Sequence, residues 1–224
     1  MFIGIMQVAY VYENEWRTTM NIFYQNNESD LNRLRFLYFK SNKYKEINAN
    51  HMKDFLQLAN DRYSVRKFAD REVEQEKIDK IVEAGIKAPT ACNLQPFKIW
   101  VAKSEDAKNK INKANPFQFV HQAPVLIVVG AKNEEAWVRK FDNKNFADID
   151  ASIVATHIML AIHNLGLGTT WIGHFDEKLL KEQFEDMKDY NLIAIFPVGY
   201  IADDCVPSDW HSKYRAKDEI VKEL

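Results

Sequence analysis

Two arginines and a serine alternate in the stretch Arg62-Tyr63-Ser64-Val65-Arg66-Lys67-Phe68. Residues two apart in an extended segment point the same way, so Arg62, Ser64 and Arg66 would face one ligand. Two planar guanidinium forks and a hydroxyl suit the oxygens of a phosphate. The same seven residues would also make an acceptable solvated basic turn. Lys213-Tyr214-Arg215 repeats the alternation in the C-terminal stretch. Taken alone it is a charged tail; together with the first group it offers four cations, enough for a phosphate monoester carrying about −1.5 to −2 charge near neutral pH.

A third stretch, Ala88-Pro89-Thr90-Ala91-Cys92-Asn93-Leu94-Gln95-Pro96-Phe97, is a loop bracketed by prolines. Asn93 and Gln95 each bring an amide with donors and acceptors, which suits the edge of a heterocycle. A fourth, Gly166-Leu167-Gly168-Thr169-Thr170-Trp171-Ile172-Gly173-His174-Phe175-Asp176, runs from a glycine pair to the start of a helix. Glycine lets backbone come close to a flat ligand, and N–H groups at such a place can donate to it. The G-x-G-x-x-G fingerprint of dinucleotide folds is absent. No serine or cysteine has the surroundings of a nucleophile, so the sequence names no catalytic side chain and no metal ligand set.

Elements that could position these stretches are legible from periodicity. A short helix near Phe55–Ala59 leads into Arg62–Phe68. The recurrence of Ile78, Ile81, Val82, Gly85 and Ile86 predicts an amphipathic helix, which Pro89 terminates. Phe97–Ala102 and Pro124–Ala131 read as buried strands. Between them lies a polar helix capped by Ser104, with Glu105 and Asp106 in its first turn. The apolar residues of Asp148–Leu165 leave little room for a polar face, so this longest helix is expected to be buried on more than one side. Thr169–Ile172 reads as a strand, Asp176 caps a further helix, and Leu192–Tyr200 reads as a final strand. Helices and strands alternate, which argues for an α+β or α/β layered fold.

The chain has 224 residues, 46% of them hydrophobic, and a net charge of −2 from 30 basic and 32 acidic side chains. That balance gives no general nucleic-acid surface, and no stretch reaches the ~20 apolar residues of a membrane helix. Two cysteines, Cys92 and Cys205, are too few for a disulfide framework and point to a reduced, cytoplasmic setting. Residues 1–51 have polar runs and scattered aromatics with no clear period, and are expected to be an irregular extension ahead of a domain spanning 52–224.

Together the four stretches R-Y-S-V-R-K-F, A-P-T-A-C-N-L-Q-P-F, L-G-L-G-T-T-W-I-G and K-Y-R resemble the FMN-dependent nitroreductase family in order and separation, from about Met52 onward. The resemblance implies an α+β fold, a three-layer α-β-α sandwich on a mainly antiparallel sheet. It also implies a homodimer with FMN sites at the interface, and NADH or NADPH as electron donor. It assigns Arg62, Tyr63, Ser64 and Arg66 to FMN, with Lys213 and Arg215 completing the phosphate pocket. Pro89, Thr90, Ala91, Asn93 and Gln95 correspond to the loop that reaches FMN from the other subunit. Gly173 and His174 correspond to positions beside the flavin N5, and Asn115 and Gln118 to looser polar contacts. There are three departures from the family's pattern. Phe97 stands for a tryptophan, Gly173-His174 for an acidic residue and glycine, and His157 for a glutamine. The activity implied is electron transfer from NAD(P)H through the flavin to a small acceptor such as a nitroaromatic or quinone. A non-catalytic FMN store, or another flavin reaction on the same fold, would use the same residues.

Overall fold

The computed structural model describes residues 55–224. The irregular extension expected over residues 1–51 lies outside them. Elements follow in the order α1 (Gln75–Ile86), β1 (Phe97–Ala102), α2 (Glu105–Lys113), β2 (Val125–Ala131), β3 (Val138–Arg139), β4 (Lys144–Asn145), α3 (Ala147–Asn164), α4 (Glu177–Gln183), β5 (Asn191–Val198) and α5 (Lys217–Ile220).

Helix boundaries follow the capping chemistry in the sequence. Ser104 Oγ accepts from the Ala107 N–H at 3.3 Å to start α2, and Asp176 Oδ1 accepts from the Leu179 N–H at 2.9 Å to start α4. Each satisfies an N–H that has no partner inside its helix. α3 ends in a paired C-terminal turn: the Gly166 N–H donates to His163 O and the Leu167 N–H to Ile162 O. Gly166 has φ 74°, the left-handed conformation this turn needs and glycine adopts without strain.

β1, β2 and β5 form an antiparallel sheet in the order β1-β2-β5, with Phe97 opposite Ala131 and Val125 opposite Val198. Alternate residues of the central strand enter two separate cores. Val125, Ile127, Val129 and Ala131 face α1 and α3, joined by Ile78, Ile81, Val154 and Ile158. Leu126 and Val128 face the opposite layer, with Ile111 of α2 and Leu180 of α4. The result is the expected three-layer arrangement around an antiparallel sheet. No helix among the described residues is long and apolar enough to cross a membrane.

In α3 the buried residues Ala147, Asp150, Ala151, Val154, Ala155, Ile158 and Ile162 form one stripe. Between residues 149 and 163 no position is fully exposed, so its remaining faces are half-covered. One expectation is corrected. Thr169–Ile172 is not a continuous strand; with Gly168 before it, it contributes isolated bridges, Gly168 to Gly199, Thr169 to Ser64 and Ile172 to Ile195. Its backbone is shared between two neighbours, which prevents a regular ladder with either.

A polar clamp fixes the segment that leads into α1. The Tyr200 hydroxyl donates to Glu74, at 2.8 Å from Oε2, and accepts from Lys77 Nζ at 2.9 Å. Lys77 Nζ also donates to Leu165 O at 3.0 Å, and the Arg71 guanidinium lies 3.7 Å from the centre of the Tyr200 ring. Its own backbone N–H, then the Tyr200 hydroxyl and Arg71, lower the Glu74 carboxyl from 4.5 to about 2. An acid depressed in this way stabilises the fold fully above its unfolded value, and that contribution is lost as pH falls toward 2. Tyr200→Phe is therefore expected to lower the melting temperature most above pH ~4.5, with the two proteins converging near pH 2 in thermal unfolding across that range.

Candidate functional site

The Arg62–Phe68 stretch is extended and stitched into the body along its length. Ser64 bridges Thr169 in parallel, the Val65 N–H donates to Thr169 O at 3.0 Å, and the Ala69 N–H to Tyr200 O at 2.8 Å. Val65 and Phe68 are buried, while Arg62 and Ser64 are half-buried and Arg66 is exposed. The close approach depends on Gly168. A Cβ there would lie 2.8 Å from both Val65 Cγ1 and Ile201 Cγ1.

Lys67 is committed elsewhere, its Nζ 2.6 Å from Asp204 Oδ2, and that carboxylate pushes the ammonium up. Among the described residues no carboxylate pairs with Arg62 or Arg66; Arg66 Nη1 reaches only Ser64 O, at 3.5 Å. Arg62 lies close enough to His163, in the last turn of α3, to act on its charge. Burial lowers the His163 imidazole, Asp61 opposes this and Arg62 adds to it.

Residues 114–117 and 173–176 are brought to the same region. The Asp176 N–H donates to Ala114 O at 2.8 Å, and the rings of Phe117 and His174 are 6.0 Å apart. Asn115 is buried; its Oδ1 accepts from the Phe117 N–H at 2.9 Å, and its Nδ2 has no partner among the described residues. The Thr169 hydroxyl is likewise buried and unpaired. Such orphaned polar groups, with guanidiniums on Arg62 and Arg66 that pair with no carboxylate among the described residues, are suited to a polar ligand. Gly173 and His174 are exposed, and a Cβ on Gly173 would find only Trp171 Nε1, at 3.9 Å. Gln118 is exposed at the start of a 3₁₀ turn, Gln118–Gln122.

The C-terminal stretch docks on this segment through Tyr63 rather than through its cations. Tyr63 donates to Cys205 O at 3.2 Å and its ring meets His211 edge-on, centroids 6.1 Å apart. Burial, with Cys205 beside it, raises the Tyr63 phenol. Lys213 lies over the Trp210 ring at 5.6 Å, and Arg215 pairs with Glu219 at 3.1 Å. Neither bonds to residues 62–66 within the chain.

The Pro89–Gln95 loop stands apart. Its turn places Cys92, Asn93 and Gln95 at φ 53°, 55° and 55°, a conformation costing Cys92 and Gln95 roughly 1–2 kcal/mol each and Asn93 less. The loop closes on itself through the Asn93 N–H to Thr90 O at 3.0 Å and the Gln95 N–H to Thr90 Oγ1 at 3.1 Å. Its Ala91 N–H donates to Asp150 Oδ1 at 3.0 Å, near the start of α3. Asp150 and His163 are separated by about 20 Å of helix at 1.5 Å per residue. Arg62 and the Pro89–Gln95 loop thus lie toward opposite ends of α3, while Asn115, Gly173 and His174 belong to the layer of α2 and α4. A cavity of about 660 Å³ beside Phe68 is lined by Arg71, Lys103 and His121 along with Asp70, Glu72 and Glu105, and by none of the predicted residues.

Residues 59–116 and 113–200 match the family model described as Nitroreductase family. The chain belongs to the nitroreductase family. It is 31% identical over 159 residues to a protein of Methanothermobacter thermautotrophicus provisionally named NADH dehydrogenase/NAD(P)H nitroreductase, covering 67% of this chain and 79% of that one. The crystal structure of a nitroreductase family protein from Clostridium difficile 630 superposes with a TM-score of 0.67 at 35% identity, covering 74% of this chain and 95% of that one. An FMN-dependent nitroreductase of Clostridium difficile R20291 gives a TM-score of 0.56 at 26% identity, over 71% of this chain and 98% of that one.

Two residues that touch the predicted stretches were not singled out in the sequence, Thr169 and Asp150. Thr169 looked like an ordinary strand residue, because its partner Ser64 is far away in sequence. Asp150 left a signal, an acid on the apolar stripe of α3. Gly168→Ala is expected to push Val65 and the arginine segment outward. The overpacking should cost about 1–3 kcal/mol, read as a lower denaturant midpoint in equilibrium unfolding.

Proposed function

We propose that the chain is an NAD(P)H-dependent oxidoreductase that binds FMN and works as a homodimer with composite sites. The observation that carries this reading is the separation of the arginine segment from the Pro89–Gln95 loop along the length of α3, with half-covered faces along that helix. A second copy packed on those faces would bring the Pro89–Gln95 loop of one chain to the arginine segment of the other, as two-fold symmetry allows. The flavin-binding domain is proposed to begin near Met52. Cys92 and Cys205 are free thiols, in keeping with a reduced cytoplasmic setting.

The residues present fit FMN. Arg62, Ser64 and Arg66 supply donors for a terminal phosphate and the polar edge of the ring system, and Lys213 and Arg215 would supply further cations from the C-terminal stretch docked on Tyr63. Orphaned donors on Asn115 and Thr169 are available to a heterocycle, while exposed Gly173 and His174 leave a face open. When bound, FMN would supply the redox chemistry, carrying electrons from NADH or NADPH to a small acceptor such as a nitroaromatic or quinone. The side chains orient and stabilise: Arg66 places a positive charge where the ring system gains negative charge. No side chain is needed as a nucleophile.

Purified protein is expected to be yellow and to release FMN rather than FAD on denaturation. Stopped-flow mixing with NADH and with NADPH should bleach the flavin, and addition of a quinone should restore it. A flavin that stays oxidised with both donors would leave a storage module as the better description. The double substitution Lys213→Ala with Arg215→Ala should weaken FMN retention about tenfold or more, since a hydrogen bond to a charged group contributes about 1.5–3 kcal/mol. Unchanged retention would remove these two residues from the phosphate site.

A further inference from the structure

Asp150 is a buried acid that the proposed chemistry does not use. It is 1% exposed, on a stripe otherwise made of Ala147, Ala151, Val154, Ala155 and Ile158. A carboxylate among such neighbours is retained only if its oxygens accept hydrogen bonds. Oδ1 accepts from the Ala91 N–H at 3.0 Å, and Oδ2 is buried without a donor among the described residues.

The loop that Asp150 holds has reason to move. Cys92, Asn93 and Gln95 all sit at positive φ without being glycine, so the unrestrained backbone would relax toward ordinary conformations. Internal bonds from Asn93 and Gln95 to Thr90 shape the turn but tie it only to itself. At its downstream end the loop is anchored by the Lys132 N–H on Pro96 O, at 2.9 Å. Upstream, the bond from Ala91 joins it to α3. We propose that Asp150 is the positioning residue of the flavin loop, holding Ala91 so that Thr90–Asn93 keep the strained shape in which they meet the cofactor. This rests on the reading of the loop as part of an FMN site.

The test is FMN affinity of the full-length chain, measured by quenching of flavin fluorescence well below each variant's melting temperature. Asp150→Ala should weaken FMN binding about tenfold or more, as expected for loss of a charge-assisted hydrogen bond. Asp150→Asn, whose Oδ1 can accept the same N–H, should restore affinity to within about threefold of the parent. Val154→Ala, one turn further along the same buried stripe, should lower the melting temperature and leave affinity unchanged. Ala91→Pro removes the donor without touching Asp150, and Thr90, at φ −131° and ψ 158°, already has the conformation that precedes proline. It should weaken FMN as Asp150→Ala does, and it decides the matter if Asp150→Ala does not fold. Parental affinity in Asp150→Ala or Ala91→Pro would overturn the proposal. So would an equal loss in Val154→Ala, which would mark the effect as global. A parent protein that binds no FMN would instead overturn the functional reading on which the proposal rests.

Discussion

β2 has no solvent face: every residue from Val125 to Ala131 is buried. A strand in that position must be covered on both sides, and the alternation of its side chains decides which helix covers which face. α1 and α3 take the odd-numbered residues, α2 and α4 the even-numbered ones. The site inherits its geometry from this division. Residues 114–117 and 173–176 belong to the layer of α2 and α4, whereas the Pro89–Gln95 loop is tied to α3 in the other layer. The arginine segment runs past the sheet's end, and Val65 and Phe68 are the side chains it spends on holding that place.

Much of this was legible in the sequence because it rests on local chemistry. Ser104 and Asp176 announce helix starts by being able to accept from the backbone two or three residues on. The spacing of Ile78, Ile81 and Gly85 gives one face of a helix, and the apolar run ending at Ala131 gives a buried strand. What was not legible depends on residues distant in the chain. Thr169–Ile172 has strand-like side chains, but its hydrogen bonds are divided between Ser64 and Val65 on one hand and Ile195 on the other. The cations of Lys213 and Arg215 were readable as a pair, but not the contact that docks their segment, which runs through Tyr63, Cys205 and His211. The positive φ of Cys92 and Gln95 has no sequence signature either, although Asn93 between them is a residue type that tolerates it.

α3 acts as a spacer between two kinds of polar structure. At one end a carboxylate accepts from a strained loop; at the other, an arginine lies beside a histidine whose imidazole is already disfavoured as a cation by burial. The helix between them is covered by core residues on one side and half-covered elsewhere. Rigid spacing of this kind favours a site built by association, because neither end has to move toward the other.

The Tyr63–Cys205 hydrogen bond joins residues 142 positions apart, and this has a consequence for how the protein is made. On the ribosome the arginine segment emerges long before Cys205. At ordinary elongation rates of roughly 5–20 residues per second, that interval is on the order of ten seconds. During it Val65 and Phe68 have no Ile201 to pack against, and Thr169 appears only late in the wait. The early segment therefore passes through synthesis as an exposed apolar and basic strand, and it is shielded only when the last strand arrives. Nascent chains stalled before β5 would present that unshielded strand to chaperones.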